Sequence, residues 1–265
     1  ARVHGGEFIQ YALRMKAAAI LTDTEGAAIA SAELAASDAA LIIAQDPRQA
    51  LAQTASLWSG PHPATVVAVT GTNGKTSIST FCRQIWEELG LAGVNLGTTG
   101  VEGAWTHPLK HTTPEPITLH RVMAEAAQHG VTHVAMEASS HGLDQRRLDG
   151  VILTAAGFSN FTQDHLDYHK TFKEYIDVKK SFFDFLPKTA FALTNIDDKN
   201  GEVMLQNTAA KKVSYSLKSM SDYKAKVLEN QFSGLVLNMN GTELWTKLIG
   251  DFNAYNLLAV YAISQ

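Results

Sequence analysis

Sulfur chemistry is nearly absent from this sequence: its 265 residues include one cysteine, Cys82. A single thiol excludes an intrachain disulfide framework and any zinc site built on several thiolates. It fits a reducing compartment. Excess positive charge is also lacking. With 22 Lys and Arg against 26 Asp and Glu, the formal net charge is −4, so composition offers no case for nucleic-acid binding, where a basic face is expected. Long apolar runs are missing too. No stretch approaches the roughly 18 residues of a membrane span, and residues 1–6 lack the charged and apolar segments of a signal peptide, so membrane insertion is not expected. The sequence does not begin with Met and stops at Gln265 inside an expected helix. A fragment of a longer chain is the expectation.

What is present reads as a folded protein. The 45% hydrophobic and 18% charged content is ordinary for a globular chain that buries a core. Phe8, Ile9, Ala12 and Leu13 read as a short helix, residues 17–22 and 41–44 as strands, and 47–59 as a helix with Leu51, Ala55 and Trp58 on one face. Ser59-Gly-Pro-His-Pro63 opposes regular structure, which places a domain boundary there. Beyond it, strands at 65–69, 131–136, 151–158 and 190–194 alternate with helices at 76–89, 118–129, 172–186 and 199–206. That alternation implies a mostly parallel sheet covered on both faces. Residues 211–248 read as short strands with turns at Gly234 and Asn240-Gly241, and a last helix starts near Asn253. The four tryptophans, Trp58, Trp86, Trp105 and Trp245, read as core or surface aromatics.

The most informative stretch is Val66-Val-Ala-Val-Thr-Gly-Thr-Asn-Gly-Lys-Thr76. An apolar strand delivers a glycine-rich turn into a helix N-terminus, where backbone N–H groups and the helix dipole hold phosphates. Gly71 and Gly74 permit a close approach that a Cβ would hinder, and Thr72, Asn73 and Ser77 complete the expected phosphate-binding set. Lys75 can reach the β- and γ-phosphates, and the Thr76 hydroxyl can ligate Mg²⁺. The general phosphate-loop pattern has a glycine six positions before the Lys, where this chain has Val69. The loop is a variant, and an ATP or GTP site is expected.

This variant, Gly71-Thr-Asn-Gly-Lys-Thr76, resembles the signature of the Mur ligases and of the folylpolyglutamate synthetases. The latter usually follow the Lys with Gly-Ser, whereas this chain has Thr76-Ser77. Four further segments resemble the muramoyl-tripeptide synthetase branch of the Mur ligases in order and spacing. They are His111-Thr-Thr-Pro-Glu115, Met136-Glu-Ala-Ser-Ser-His-Gly-Leu-Asp-Gln-Arg-Arg147, Ser159-Asn-Phe-Thr-Gln-Asp-His-Leu-Asp-Tyr-His169, and Gly250-Asp-Phe-Asn-Ala-Tyr-Asn256. The resemblance covers residues 64–265, and residues 1–60 are similar to the latter part of that family's small N-terminal domain.

The resemblance implies an α/β fold. A phosphate-loop central domain at 64–265, with a mostly parallel sheet, flanking helices and a small antiparallel β element, would follow a partial α/β domain at 1–63 that binds UDP-MurNAc. The family's C-terminal amino-acid-binding domain would be absent. The implied activity is ATP-dependent amide formation in peptidoglycan precursor synthesis, in the bacterial cytoplasm and by a monomer. ATP phosphorylates the terminal carboxylate of UDP-MurNAc-L-Ala-D-Glu, and the amine of a diamino acid (meso-diaminopimelate or L-lysine) displaces the phosphate. Two anions must meet, so cations and metal must dominate the site. This chain alone is expected to bind nucleotide but to ligate little.

Residue by residue, the resemblance makes Glu137 a Mg²⁺ ligand beside Thr76, at the carboxyl end of a parallel strand. His165 would help hold a second Mg²⁺. The four-residue spacing of His165 and His169 also invites a metal reading, but neither cysteines nor a flanking glutamate complete a zinc pattern, and His169 reads as structural. Lys179 would be carbamylated, turning an ammonium into an oxygen ligand; without the resemblance, Lys179 and Lys180 both read as a solvated helix face. His111, Thr112, Thr113, Ser139, Gln145 and Arg147 would bind the UDP-MurNAc-dipeptide, with the Arg147 fork on a carboxylate or phosphate. Some members have Asn where this chain has His111. Without the family, Thr112-Thr113-Pro114 would read as a helix start. Asn253 would lie by the adenine and Asp198 by the ribose. The rival readings are another Mur-type or folylpolyglutamate ligase and a phosphate-loop module that ligates nothing.

Overall fold

The computed structural model describes residues 3–161 and 171–265. A 3₁₀ turn at Gly5–Phe8 enters α1 (Ile9–Arg14), and β1 (Ala19–Thr22), α2 (Thr24–Ile29), α3 (Ser31–Ala35), β2 (Ala40–Ile43) and α4 (Pro47–Ser59) follow. β1 and β2 pair in parallel, Ala19 opposite Ala40, over a small core of Ile9, Ile20 and Ala30. Asp23 starts α2 by accepting from the Gly26 backbone N–H at 2.7 Å, as N-cap carboxylates do.

α4 has the bounds expected from sequence, but of the expected face only Ala55 is buried. Trp58 is 90% exposed and Leu51 43%, while Ala52 and Ala55 are the buried residues. The reason is close packing. α4 lies against α6 (Pro116–Gln128), Ser56 Oγ donates to Gly150 O at 2.9 Å, and only small side chains fit a close approach.

The main sheet is built from β3 (Thr65–Thr70), β4 (Gly93–Gly97), β5 (Gly100–Gly103), β6 (His133–Glu137), β7 (Ala155–Phe158), β8 (Phe191–Asn195), β9 (Lys211–Ser216), β10 (Tyr223–Gln231), β11 (Gly234–Met239) and β12 (Thr242–Thr246). Its order is β12-β11-β10-β9-β8-β7-β3-β6-β4-β5. Parallel pairing runs from β4 to β10, with antiparallel pairs at both edges. The intervening helices are α5 (Lys75–Glu88), α6, α7 (Ser140–Asp144), α8 (Phe172–Asp184), α9 (Gly201–Met204) and α10 (Asp251–Ser264).

Alternation along the strands separates two cores. Val66 and Ala68 of β3 join Leu119, Val122 and Met123 of α6 and Phe183 of α8. Val67 and Val69 join Ile78, Cys82 and Trp86 of α5 and Leu258 of α10. A strand covered on both faces reads as an unbroken apolar run, which is why β3 is legible in the sequence. Cys82 sits in the second core with its thiol pushed up to about 12 by burial, so it is a packing residue rather than a nucleophile. Among the described residues, no helix is long and apolar enough to cross a membrane.

A stacked histidine pair, with His120 buried and His62 half-buried, fastens the 60–64 segment to α6. His120 Nε2 lies 2.9 Å from Asp149 O; a carbonyl only accepts, so this nitrogen carries the proton. In the neutral ring Nδ1 then accepts from His62 Nε2 at 3.4 Å, and the two rings stack 5.1 Å apart. Burial drives the His120 value down to about 4 and also lowers that of His62. Above pH 6.5 both rings are neutral, folded or unfolded, and nothing is lost. As pH falls from 6.5 towards 4 the unfolded chain takes up a proton that folded His120 refuses, costing about 2 kcal/mol by pH 5. His120→Gln is expected to flatten this part of the stability curve in urea melts; an unchanged slope would remove His120 as its source.

Candidate functional site

The strands deliver their carboxyl ends to one edge, the usual ligand position in a parallel sheet. β3 occupies the middle and opens into the loop 71–74 before α5. Gly71 has φ 145° and Gly74 φ 87°, a region that side-chain-bearing residues seldom enter. A Cβ on Gly71 would collide with Ser159 Oγ, and one on Gly74 with Asn256 Oδ1. The loop is therefore shaped from outside as well as by its own sequence.

Ser159 and Asn160, just past β7, hold it. Thr72 N donates to Asn160 O at 2.8 Å, Asn73 N to Asn160 Oδ1 at 3.0 Å, and Ser159 Oγ to Asn73 O at 2.6 Å. Lys75 Nζ lies over the loop, 3.0 Å from Gly71 O and 2.9 Å from Thr72 O. Ser77 stands in the first turn of α5, half-buried.

Glu137 ends β6 and is 1% exposed. Its carboxylate accepts from Thr76 Oγ1 at 3.0 Å and from the Thr98 backbone N–H at 2.9 Å. A hydroxyl from the first turn of α5 and a carboxylate from the end of β6 thus meet beside the loop, which is the hard-oxygen chemistry that Mg²⁺ prefers.

Lys179 of α8 is also 1% exposed, which overturns the solvated-face reading that the bare sequence gives it. Nζ donates to Thr70 Oγ1 at 2.9 Å and to Gly71 O at 3.1 Å, and lies 4.9 Å from the Tyr175 ring centroid. Burial first, and the nearby Lys75 charge second, hold its value well below the ordinary lysine range. Lys180 instead pairs with Asp184 at 2.7 Å.

The substrate candidates converge on the same place. Thr113 Oγ1 donates to Glu137 O at 2.8 Å and accepts from Ser139 N at 3.1 Å. Ser139 Oγ caps α7 through Gly142 N. Arg147 donates to Thr113 O and, through Nη2 at 2.7 Å and Nε at 3.2 Å, to Gln145 Oε1. A cleft of about 500 Å³ joins Lys75, Thr76, Glu137 and Lys179 to His111, Thr112, Thr113, Ser139 and Arg147. Gln145 is not on its wall but holds Arg147, which is. Thr112-Thr113-Pro114 is not a helix start: Glu115 caps α6, whose first residue is Pro116.

Two expected nucleotide contacts stand apart from the cleft. Asp198 accepts from Phe161 N at 2.6 Å and Asn200 N at 2.9 Å, bracing the chain past β7. Asn253, in the first turn of α10, donates to Ile249 O at 2.9 Å. The residue of that helix against the loop is Asn256, whose side chain packs on Gly74. His165 and His169 lie outside the described residues. Among the described residues, no group of three or more His, Cys, Asp or Glu is placed to hold a metal.

The profile of the Mur ligase middle domain matches residues 69–264. This chain belongs to the Mur ligase family. It is 47% identical over 224 residues to the UDP-N-acetylmuramoyl-L-alanyl-D-glutamate--2,6-diaminopimelate ligase of Parabacteroides distasonis, an alignment covering 83% of this chain and 46% of that protein. The Agrobacterium fabrum protein of the same name is 41% identical, over 90% of this chain and 50% of its own. This Mur ligase chain therefore spans about half the length of the curated relatives it matches. A solved structure carrying the same ligase name superposes with a TM-score of 0.76 at 29% identity, over 91% of this chain and 54% of that one. A MurF ligase from Thermotoga maritima, solved with ADP, shares the fold at TM-score 0.60 and 16% identity, over 98% and 56% of the two chains.

Among the residues that hold the site of this Mur ligase, sequence reasoning did not single out Ser159, Asn160, Tyr175, Asn256 or Thr98. Ser159, Asn160 and Asn256 stood inside segments quoted for the resemblance, so position in those segments was the available signal. Thr98 follows β4, whose Gly-Val-Asn-Leu-Gly sequence reads as a loop.

Proposed function

We propose that this chain is the central part of an ATP-dependent ligase that extends UDP-MurNAc-L-Ala-D-Glu with a diamino acid, 2,6-diaminopimelate being the one named in the relatives. In this reading, residues 1–63 belong to the UDP-MurNAc-binding domain and 64–265 form the ATP-binding domain of a monomeric, cytoplasmic bacterial enzyme. The observation that carries the reading is the single cleft in which the phosphate loop and Glu137 open onto Thr112, Thr113, Ser139 and Arg147. A nucleotide-hydrolysing module has no use for an Arg held by Gln145 and a threonine pair beside its phosphates; a carboxylate-activating ligase needs both on one wall.

Loop N–H groups and Lys75 bind the nucleotide phosphates, with Asn253 near the adenine and Asp198 near the ribose. Arg147 orients the acceptor carboxylate towards the γ-phosphate, and Thr112, Thr113, His111 and Ser139 fix the sugar and peptide. A carboxylate oxygen attacks the γ-phosphorus and ADP leaves, giving an acyl phosphate. The amine then attacks the acyl carbon, loses a proton to solvent and expels inorganic phosphate that keeps that carboxylate oxygen. Thr76 and Glu137 would hold a first Mg²⁺; His165 and modified Lys179 would serve a second. When bound, Mg²⁺ supplies the charge neutralisation that lets carboxylate and triphosphate approach. The test is oxygen transfer in the full-length protein. Muropeptide labelled with heavy oxygen in its terminal carboxylate is expected to pass label to the released phosphate; unlabelled phosphate would defeat the acyl-phosphate route.

Carbamylation of Lys179 draws support from its burial. Only a neutral amine attacks CO₂, and the burial that lowers the Lys179 value favours that form. Labelled bicarbonate is expected to give a carbamate carbon resonance lost in Lys179→Met. The same resonance surviving in that variant would place the modification elsewhere.

A further inference from the structure

The carboxylate of Glu137 is met from the β4 side as well as from the phosphate loop, and this second contact lies outside the phosphate-loop and substrate motifs. The Thr98 backbone N–H donates to Oε1 at 2.9 Å, and Thr98 Oγ1 lies 3.3 Å from Oε2. The same hydroxyl lies 3.2 Å from Thr112 Oγ1. Just before it, a Cβ on Gly97 would collide with the Glu137 carboxylate, so the end of β4 is contoured around that group.

The consequences follow from hydrogen-bond inventory. Thr76 Oγ1 donates to Glu137 Oε2 at 3.0 Å, yet a hydroxyl that ligates a cation must offer it a lone pair, and the carboxylate must turn that oxygen to the same ion. The Thr76–Glu137 bond is therefore one that metal loading exchanges. The Thr98 N–H is on Oε1, which Thr76 does not touch, and the Thr98 hydroxyl shares Oε2 with Thr76. A carboxylate oxygen has a second lone pair, so the two Thr98 contacts need not break. They are what keeps the carboxylate aimed while its bond to Thr76 is given up. A hydroxyl has one proton, so when Thr98 donates to Glu137, the bond to Thr112 must be donated by Thr112.

We infer that Thr98 is a positioning residue that aims Glu137 at the loop-side cation and ties it, through Thr112, to the acceptor wall. This rests on the reading of Glu137 as a cation ligand and of Thr112 as a substrate contact. The link runs in both directions: a substrate group engaging Thr112 reorganises the hydroxyl pair and firms the carboxylate, and a bound cation firms Thr112.

The experiment uses this chain and a fluorescent non-hydrolysable ATP analogue, titrated with and without Mg²⁺. Thr98 is exposed, so Thr98→Val retains shape and the backbone N–H while removing only the hydroxyl; Thr98→Ser restores it, and Thr98→Ala checks that the valine methyl is not itself the cause. Thr98→Val and Thr98→Ala are expected to raise the Mg²⁺ concentration needed for half-maximal binding about tenfold, the usual scale for one hydrogen bond to a charged group. Metal-free binding should stay unchanged, and Thr98→Ser should recover the wild-type requirement. An unshifted Mg²⁺ requirement in both variants, beside a Mg²⁺-dependent wild type, overturns the role of Thr98 alone. A wild type indifferent to Mg²⁺ overturns the cation reading of Glu137 and the role of Thr98 with it. A valine effect that neither Ala shares nor Ser relieves is steric, and also counts against the proposal.

Discussion

Lys75→Ala should weaken binding of Mg²⁺-nucleotide to this chain about a thousandfold, near 4 kcal/mol, with little change in the melting temperature. The large effect on binding comes from charge-assisted bonds in a cleft partly shielded from water. Lys75 stands at the phosphate loop, where it can deliver that charge. Lys179 is equally near, but it is enclosed, engaged with Thr70 and Gly71, and inclined by burial to the neutral form. A small effect on stability is expected because Lys75 bonds the carbonyls of Gly71 and Thr72 within its own loop. Removing one of two crowded amines also relieves the second. The Lys179 value should rise in Lys75→Ala, because the Lys75 charge is one cause of its depression. Calorimetric titration with melting curves separates the two effects. A binding loss below about tenfold would mean that the loop amides and metal carry the phosphates without this lysine.

The central fold was legible where burial on both faces leaves unbroken apolar runs. β3, β6 and β8 could be read from their apolar runs, and α5 from helical spacing. β4 was missed because glycines at both ends and a central asparagine look like a turn; its strand character comes from pairing with β6 and β5. Short helices such as α7 left no signal, because five residues hold barely more than one turn and their stability is tertiary. The face of α4 was misjudged for a related reason. Trp58 and Leu51 are the most apolar residues on it, but helix proximity selects the alanines.

The site divides along the same line. The phosphate loop could be read from first principles because its chemistry is local: strand, glycines, lysine, hydroxyl. Glu137, Lys179, Thr113 and Arg147 come from separate elements, and nothing in their spacing announces that they share one cleft. The family resemblance named them, and the fold brings them together. The resemblance is weakest at Asp198 and Asn253, where the side chains are engaged in holding neighbouring backbone. Lys179 is the sharpest case: a Lys-Lys pair on an amphipathic helix reads as a solvated face, and only the third dimension distinguishes the buried member from the ion-paired one.

Arg147 is where the account is most exposed. Its guanidinium is held by Gln145 and Thr113 O, it lies in the cleft with the phosphate loop, and the proposed function has it receive an anion presented to the nucleotide. The deciding measurement is a calorimetric titration of UDP-MurNAc-L-Ala-D-Glu into this chain preloaded with Mg²⁺ and a non-hydrolysable ATP analogue, beside Arg147→Ala with its fold confirmed by melting. Binding to the wild type and a loss of about a hundredfold in the variant, near 2.7 kcal/mol, is the result expected of a cleft where muropeptide carboxylate meets nucleotide. Muropeptide binding of equal strength in the two proteins would contradict it, and would remove Arg147 as the group that brings the acceptor carboxylate to the nucleotide.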